Sequence, residues 1–158
     1  MATYIYPAPG VTGVEALLSL QIESDGADTV LSIPSLQDVT VNASNDQFTW
    51  TQLDEASKKT IATTSTNSLS MNLVLNSTSF FGTAGTGATA PLAGIMGMST
   101  QKDLVEFSLY MGDNSDATTG KTLTGTGYIT GLAPTVSADS PVWVSPITIT
   151  MDSAYTIS

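Results

Sequence analysis

The chain has 158 residues, 41% of them hydrophobic and 11% charged, with a formal net charge of −10. It contains no Cys and no His, and its four basic residues are all Lys. This excludes disulfides, zinc–thiolate sites and cysteine nucleophiles, removes the commonest general base and metal ligand, and leaves the redox compartment undetermined. Serine catalysis would need a Ser–Lys arrangement. Phosphate contacts need Lys or Arg, so a chain this acidic repels nucleic acid rather than binding it. Net charge also serves solubility alone. The length suits one domain, large enough to bury roughly two-thirds of its unfolded surface.

In chain order, residues 1–13 carry Pro7, Pro9, Gly10 and Gly13 and read as an extended arm. Residues 14–22 fit a weak helical spacing (Val14, Leu17, Leu18, Gln21) or a strand alternation (Leu18, Leu20, Ile22); strand is favoured. A turn follows at 24–28, then strands at 29–33 and 36–43, split at Pro34. Val39, Val41 and Ala43 alternate with Asp38, Thr40 and Asn42 before a turn cluster at 42–46. Residues 48–53 favour β by propensity. Asp54/Lys58 and Glu55/Lys59 are i,i+4 pairs in the favourable order, which allows a turn or two of helix at 54–61. With few apolar positions, this segment is expected to project.

The strongest strand signal is at 68–76. Leu69, Met71, Leu73 and Leu75 alternate with Ser68, Ser70, Asn72 and Asn76, and Val74 is the one breach. Residues 79–90, with Gly82, Gly85 and Gly87, read as a flexible loop. Leu92, Ile95, Met96 and Ser99 then give a helical spacing, with Thr89 as N-cap, Pro91 in the first turn, and Gly94 and Gly97 as weak points that permit close packing. Val105, Phe107, Leu109 and Met111 share a face of a strand at 103–111. After a turn-rich loop at 112–120, strands are expected at 121–132 and 142–151. The expected fold is mainly β, an antiparallel β-sandwich or barrel of about seven or eight strands with one short helix packed on it.

No carboxylate arrangement reads as catalytic. Asp54 and Glu55 are sequence neighbours, and Asp103 and Glu106 on a strand point to opposite faces. Asp113, Asn114, Ser115 and Asp116 are oxygen-rich but lack the Glu that closes a calcium loop. Gly82, Gly85 and Gly87 are not followed by the Lys-Ser/Thr of a phosphate cradle. No cofactor and no metal site is expected. Trp50 and Trp143 both suit a core, and Trp50, in a polar segment, is the better interface anchor. No stretch reaches the ~20 apolar residues of a membrane span. The first residues lack a basic region followed by an apolar core, so the chain is expected to start at its own Met and to act where it is made or inside an assembly.

One stretch has no chemical explanation: Thr51-Gln52-Leu53-Asp54 followed by Lys58-Lys59, between two strand patterns. Further on come the short apolar segment 91–98, the strand at 103–111, a Gly112-Asp113-Asn114 turn, the run Tyr128-Ile129-Thr130-Gly131-Leu132-Ala133-Pro134-Thr135, and a closing Ile147-Thr148-Ile149-Thr150-Met151. In this order the chain resembles the tail tube (major tail) protein family of long-tailed bacteriophages, from about residue 28 onward. Tyr155-Thr156-Ile157-Ser158 departs from that family's usual Thr-Gly-like ending.

The resemblance implies a structural, non-enzymatic protein of the virion tail, assembled in the host cytoplasm. Its subunits would stack as hexameric rings around a channel for DNA, with tape-measure and tail terminator proteins as partners. It implies one tail-tube domain at 14–158 after an arm at 1–13, with a projecting loop at about 44–67. The sheet would comprise 36–43, 68–76, 103–111 and 121–132. Its apolar face (Val39, Met71, Leu73, Phe107, Leu109) would cover the helix and a second sheet. Asp38, Asn42, Ser70, Asn72, Glu106 and Ser108 would line the lumen. Phe48, Thr49, Trp50, Thr51, Leu53, Asp54, Glu55, Lys58 and Lys59 would form inter-subunit and ring-stacking contacts. The alternative is a ligand- or carbohydrate-binding β-sandwich of adhesin type. Exposed aromatics clustered on one sheet face, or a secretion signal, would favour it, and aromatics are only 7% of the chain.

Overall fold

A computed structural model of the chain describes residues 18–22, 31–33, 36–54, 56–82, 94–111 and 120–158. The strands are β1 (Leu18–Ile22), β2 (Leu31–Ile33), β3 (Leu36–Thr51), β4 (Lys58–Val74), β5 (Val105–Met111), β6 (Lys121–Leu132), β7 (Thr135–Ser137), β8 (Ser140–Met151) and β9 (Thr156–Ile157). Two short helices, α1 (Ser77–Phe81) and α2 (Ile95–Gln101), lie between β4 and β5. The fold is mainly β and antiparallel, as expected. The expected arm, the turn at 24–28, the loop and helix start at 83–93, Glu55 and the oxygen-rich turn at 113–116 fall outside the described residues.

All nine strands join one sheet in the order β2-β1-β5-β6-β8-β4-β3, with β7 added to β8 and β9 to β6. β6 changes partners along its length. Its first half, from Lys121 to Gly127, pairs with β5, and its second half, from Gly127 to Leu132, pairs with β8. A strand that changes partners part-way turns a sheet through a corner. Glycine suits the corner: a Cβ on Gly127 would lie 2.5 Å from the Thr150 carbonyl oxygen, and one on Gly125 would lie 2.9 Å from the Phe107 ring. One buried cluster therefore draws Leu18, Leu20, Val105, Phe107 and Leu109 from one half and Leu69, Met71, Leu73, Ile147 and Ile149 from the other.

The helices plug this core. Phe80 of α1 and Ile95 and Met98 of α2 are buried in it. Gly82, at φ 80°, ends α1 in the left-handed region that favours glycine. A Cβ on Gly94, the N-cap of α2, would come within 2.5 Å of the backbone at Phe80–Gly82, so the small residue lets the helices meet.

Several expectations need correction. The turn expected at 42–46 and the turn or two of helix allowed at 54–61 give way to strand, because β3 runs to Thr51, with a register shift between Asn45 and Gln47, and β4 starts at Lys58. Cross-strand pairing supplies the backbone bonds that local propensity would have sent into a turn. Residues 77–81 are helix rather than strand end and loop, with Phe80 buried. In α2, Ile95–Gln101, the buried residues are Ile95 and Met98, and Met96 is exposed. The four strands expected to form one sheet do share one, with β8 inserted between β4 and β6. The short strands β7 and β9 gave no periodic signal.

Candidate assembly interface

The face of β3, β4 and β8 that turns away from the core is built in rungs. Asp38 stands opposite Asn72, and Asn72 opposite Pro146; Thr40, Ser70 and Thr148 form the next rung, and Asn42, Ser68 and Thr150 the third. Period-two alternation dictates this, since Leu69, Met71, Leu73, Ile147 and Ile149 occupy the other face. Asp38 accepts hydrogen bonds from the Asn72 backbone N–H at 3.0 Å and from Asn72 Nδ2 at 3.1 and 2.9 Å. These pin the strand beside the register shift between Leu36 and Asp38. Asn42 Nδ2 donates to Ser68 Oγ and Ser70 Oγ, both at 3.4 Å, and the Thr130 and Thr150 hydroxyls lie 2.8 Å apart. The rungs carry one carboxylate, Asp38, and no cation.

Four of the six expected lumen residues, Asp38, Asn42, Ser70 and Asn72, thus share this face. Glu106 and Ser108 sit on β5, opposite Gln21 and Thr126 and opposite Ser19 and Thr124 respectively, beyond the corner at β6. By register they lie on the same side of the sheet as the first four, since Thr126 and Tyr128 of β6 lead through Thr150 of β8 to Ser68 of β4, but β8 and β6 stand between the two sets. Met71, Leu73, Phe107 and Leu109 are buried as the apolar face requires, whereas Val39, on the edge strand β3, is 38% exposed. Nothing among the described strands lies beyond β3 to cover it.

The second set of expected residues lies on the far part of the β3–β4 hairpin. β8 pairs with β4 only between Ser68 and Val74, so residues 44–67 extend past the sheet as a two-stranded ribbon. Ten β4 residues beyond that point make a projection of about 30 Å. Phe48 stands opposite Ile61, Trp50 opposite Lys59 and Thr51 opposite Lys58, after a register shift between Asn45 and Gln47. The alternation puts Phe48, Trp50, Lys59 and Ile61 on one face, and Thr49, Thr51, Lys58 and Thr60 on the other. The Phe48 and Trp50 rings stack with centroids 5.8 Å apart at 24°. Lys59 Nζ donates to Gln52 Oε1 at 2.7 Å, and the Thr49 and Thr60 hydroxyls lie 3.2 Å apart. Leu53 and Asp54 form the exposed turn. Phe48, Leu53 and Ile61 are all at least half exposed, an unusual amount of apolar surface on an isolated ribbon.

A third feature had no sequence signal. Trp143, a candidate core residue by composition, is exposed instead. It stands on the rim of an apolar groove of about 420 Å³ at the end of the sandwich opposite the ribbon, with Leu75, Phe80, Phe81, Met96 and Pro134. Distant elements converge there, which no local pattern announces.

The sequence matches no family model and no curated protein. Solved structures do match. The chain is similar to the tail of an empty gene transfer agent particle refined helically with C6 symmetry, at a TM-score of 0.61 and 12% identity over 90% of this chain and 96% of that one. It is similar to the SPP1 tail tube at a TM-score of 0.61 and 10% identity, over 89% of this chain and 74% of that one. It is also similar to the tube-terminating cap of the anti-feeding prophage, at a TM-score of 0.51 and 14% identity over 100% and 95% of the two chains.

The chain has the tail-tube fold.

The likeness expected from the order of its motifs is present in three dimensions at identities too low for sequence alone to carry it. Within the tail-tube fold, the polar rungs of β3, β4 and β8, the projecting ribbon and the open edge at β3 are the features available for assembly.

Proposed function

We propose that this chain is a structural tail tube protein that self-assembles into stacked hexameric rings, forming the channel through which DNA passes into the host. The observation that carries this reading is the bare edge at β3. A strand of 16 residues ends the sheet, with no described strand on its outer side. A long open edge is a template for pairing with another chain, and soluble monomers normally blunt theirs. Pairing around a ring removes the hazard, and the C6 symmetry of the similar gene transfer agent tail supplies the number six.

On this reading the chain works without catalysis, in the tail of a virion, after assembly in the host cytoplasm. The described residues from Leu18 onward form one tube domain. Asp38, Asn42, Ser70 and Asn72 face the channel, where short polar side chains and a repeated carboxylate repel phosphate. Glu106 and Ser108 belong to the lumen only if the β5 half also reaches it. The ribbon, with Phe48, Thr49, Trp50, Thr51, Leu53, Asp54, Glu55, Lys58 and Lys59, contacts neighbouring subunits. Tape-measure and terminator proteins are the expected partners inside the tube and at its end.

Electron microscopy of the concentrated, purified chain tests this reading. Rings or tubes with a central channel, formed spontaneously or on seeding, are expected. A stable monomer that binds a glycan and never polymerises would overturn it in favour of the binding-module alternative.

A further inference from the structure

The long hairpin has a knob at one end and a hole at the other. β4 runs 17 residues from Lys58 to Val74, a length of roughly 50 Å. The ribbon tip lies at its start. Immediately after its end, Leu75 donates its backbone N–H to the Trp143 carbonyl at 2.8 Å and enters the wall of the apolar groove. We propose that this groove receives the ribbon tip of the next copy of the chain along the tube axis, an assignment that rests on the tube reading.

The two surfaces match in chemistry. The tip presents Leu53, fully exposed at the turn, backed by Phe48, Trp50 and Ile61. The groove presents Phe81, Met96 and Trp143, each about half exposed over the buried Phe80. Its volume of about 420 Å³ is within the range of pockets that take a small apolar ligand, here a turn carrying one or two side chains. The tip holds Lys58 and Lys59, two of the four cations in a chain of net charge −10, so contact with another copy brings them against a strongly acidic chain.

The geometry also fixes the kind of assembly. Knob and hole sit at opposite ends of one element, so one copy's tip in another copy's groove leaves a free tip and a free groove at the two extremes. Such a head-to-tail contact does not close on itself when the surfaces point along one direction; it propagates as an open filament. Edge pairing at β3 closes a ring, and the tip-in-groove contact stacks rings.

The absence of native Cys makes a clean test. Chains carrying Leu53→Cys and chains carrying Met96→Cys are mixed, assembled and treated with a short bis-maleimide. Dimers containing one of each variant are expected, and the double variant should give a ladder continuing beyond six subunits. A control pair, Leu53→Cys with Lys121→Cys, should give none, since Lys121 begins β6 at the ribbon end of the sheet. Tubes that form without the Leu53–Met96 cross-link would overturn the proposal and leave the tube reading intact. A ladder that stops at a closed six-subunit species would also overturn it, by placing the contact within a ring. In a second experiment Met96→Asp, at an exposed position, should leave the melting transition unchanged and yield single rings instead of tubes. Normal tubes from that variant would refute the assignment. Failure of the unmodified chain to form rings or tubes under any condition would remove the tube reading itself.

Discussion

The base and the tip of the β3–β4 hairpin have the same secondary structure and opposite relations to the rest of the molecule. At the base, Leu69, Met71 and Leu73 alternate with Ser68, Ser70 and Asn72, and the apolar set is buried in one cluster with Ile147 and Ile149 of β8, Phe80, Ile95 and Met98 of the helices, and Phe107 and Leu109 of β5. At the tip, Phe48, Trp50 and Ile61 alternate with Thr49, Thr51 and Thr60, yet nothing described in the chain covers them. Two strands alone are marginal in water, so the ribbon depends on its continuity with a supported base. The difference shows that one hairpin can serve folding at one end and contact with another copy at the other.

Removing the tip should separate these roles most sharply. Replacing residues 47–61 with a short Gly/Ser turn is expected to abolish tubes while leaving a soluble, β-rich, cooperatively melting protein. Loop closure depends only weakly on length, and the lost residues bury little within their own chain. Microscopy and a thermal melt read both outcomes. Tubes of normal length would show that the ribbon is not a stacking contact, and loss of folding would make the tip part of the core.

Matched truncations at the two ends give the next largest effect. Leu73→Ala, at a fully buried position, should destabilise the monomer by about 2–5 kcal/mol in denaturant titrations. Leu53→Ala at the exposed turn should change stability by no more than about 0.5 kcal/mol. Equal losses at the two positions would erase the distinction between base and tip.

The smallest effect concerns the polar face of the base. Asp38→Ala removes the acceptor of three hydrogen bonds from Asn72 and should cost about 1 kcal/mol, limited by solvent exposure. Chemical denaturation of Asp38→Ala beside Asp38→Asn measures it, the latter keeping one acceptor oxygen. No change in either would mean that the register near Leu36 is held by the strand ladder alone.

Local pattern carried much of this fold. The alternation at 68–76 marks both faces of β4, and that at 105–111 marks β5, because burying one sheet face imposes a period of two on any strand. The outer strand limits at Lys121–Leu132 were legible for the same reason. The ribbon was harder. Residues 42–66 hold turn-favouring Asn, Asp and Ser with few buried positions, so the signal that announces a strand is missing where a strand is held by its partner alone. The candidate site was legible in part. Alternation groups Asp38, Asn42, Ser70 and Asn72 on one face, whereas the distance of Glu106 and Ser108 from them depends on the strand order, which puts β8 and β6 in between.

By itself the sequence determined the chemistry: an acidic chain without His, Cys or Arg, with strands that have one apolar and one Ser/Thr/Asn face. Alternation is a property of neighbouring residues, and composition a property of the whole chain, so neither needs a folded structure to be read. Only the tertiary structure decided which strands are neighbours, where β6 passes from β5 to β8 beside Gly125 and Gly127, and how far the hairpin outruns β8. It alone brought Leu75, Phe81, Met96, Pro134 and Trp143 to one groove. Pairing partners and convergent surfaces depend on contacts between residues far apart in the chain, and period two specifies a face without specifying what that face will meet.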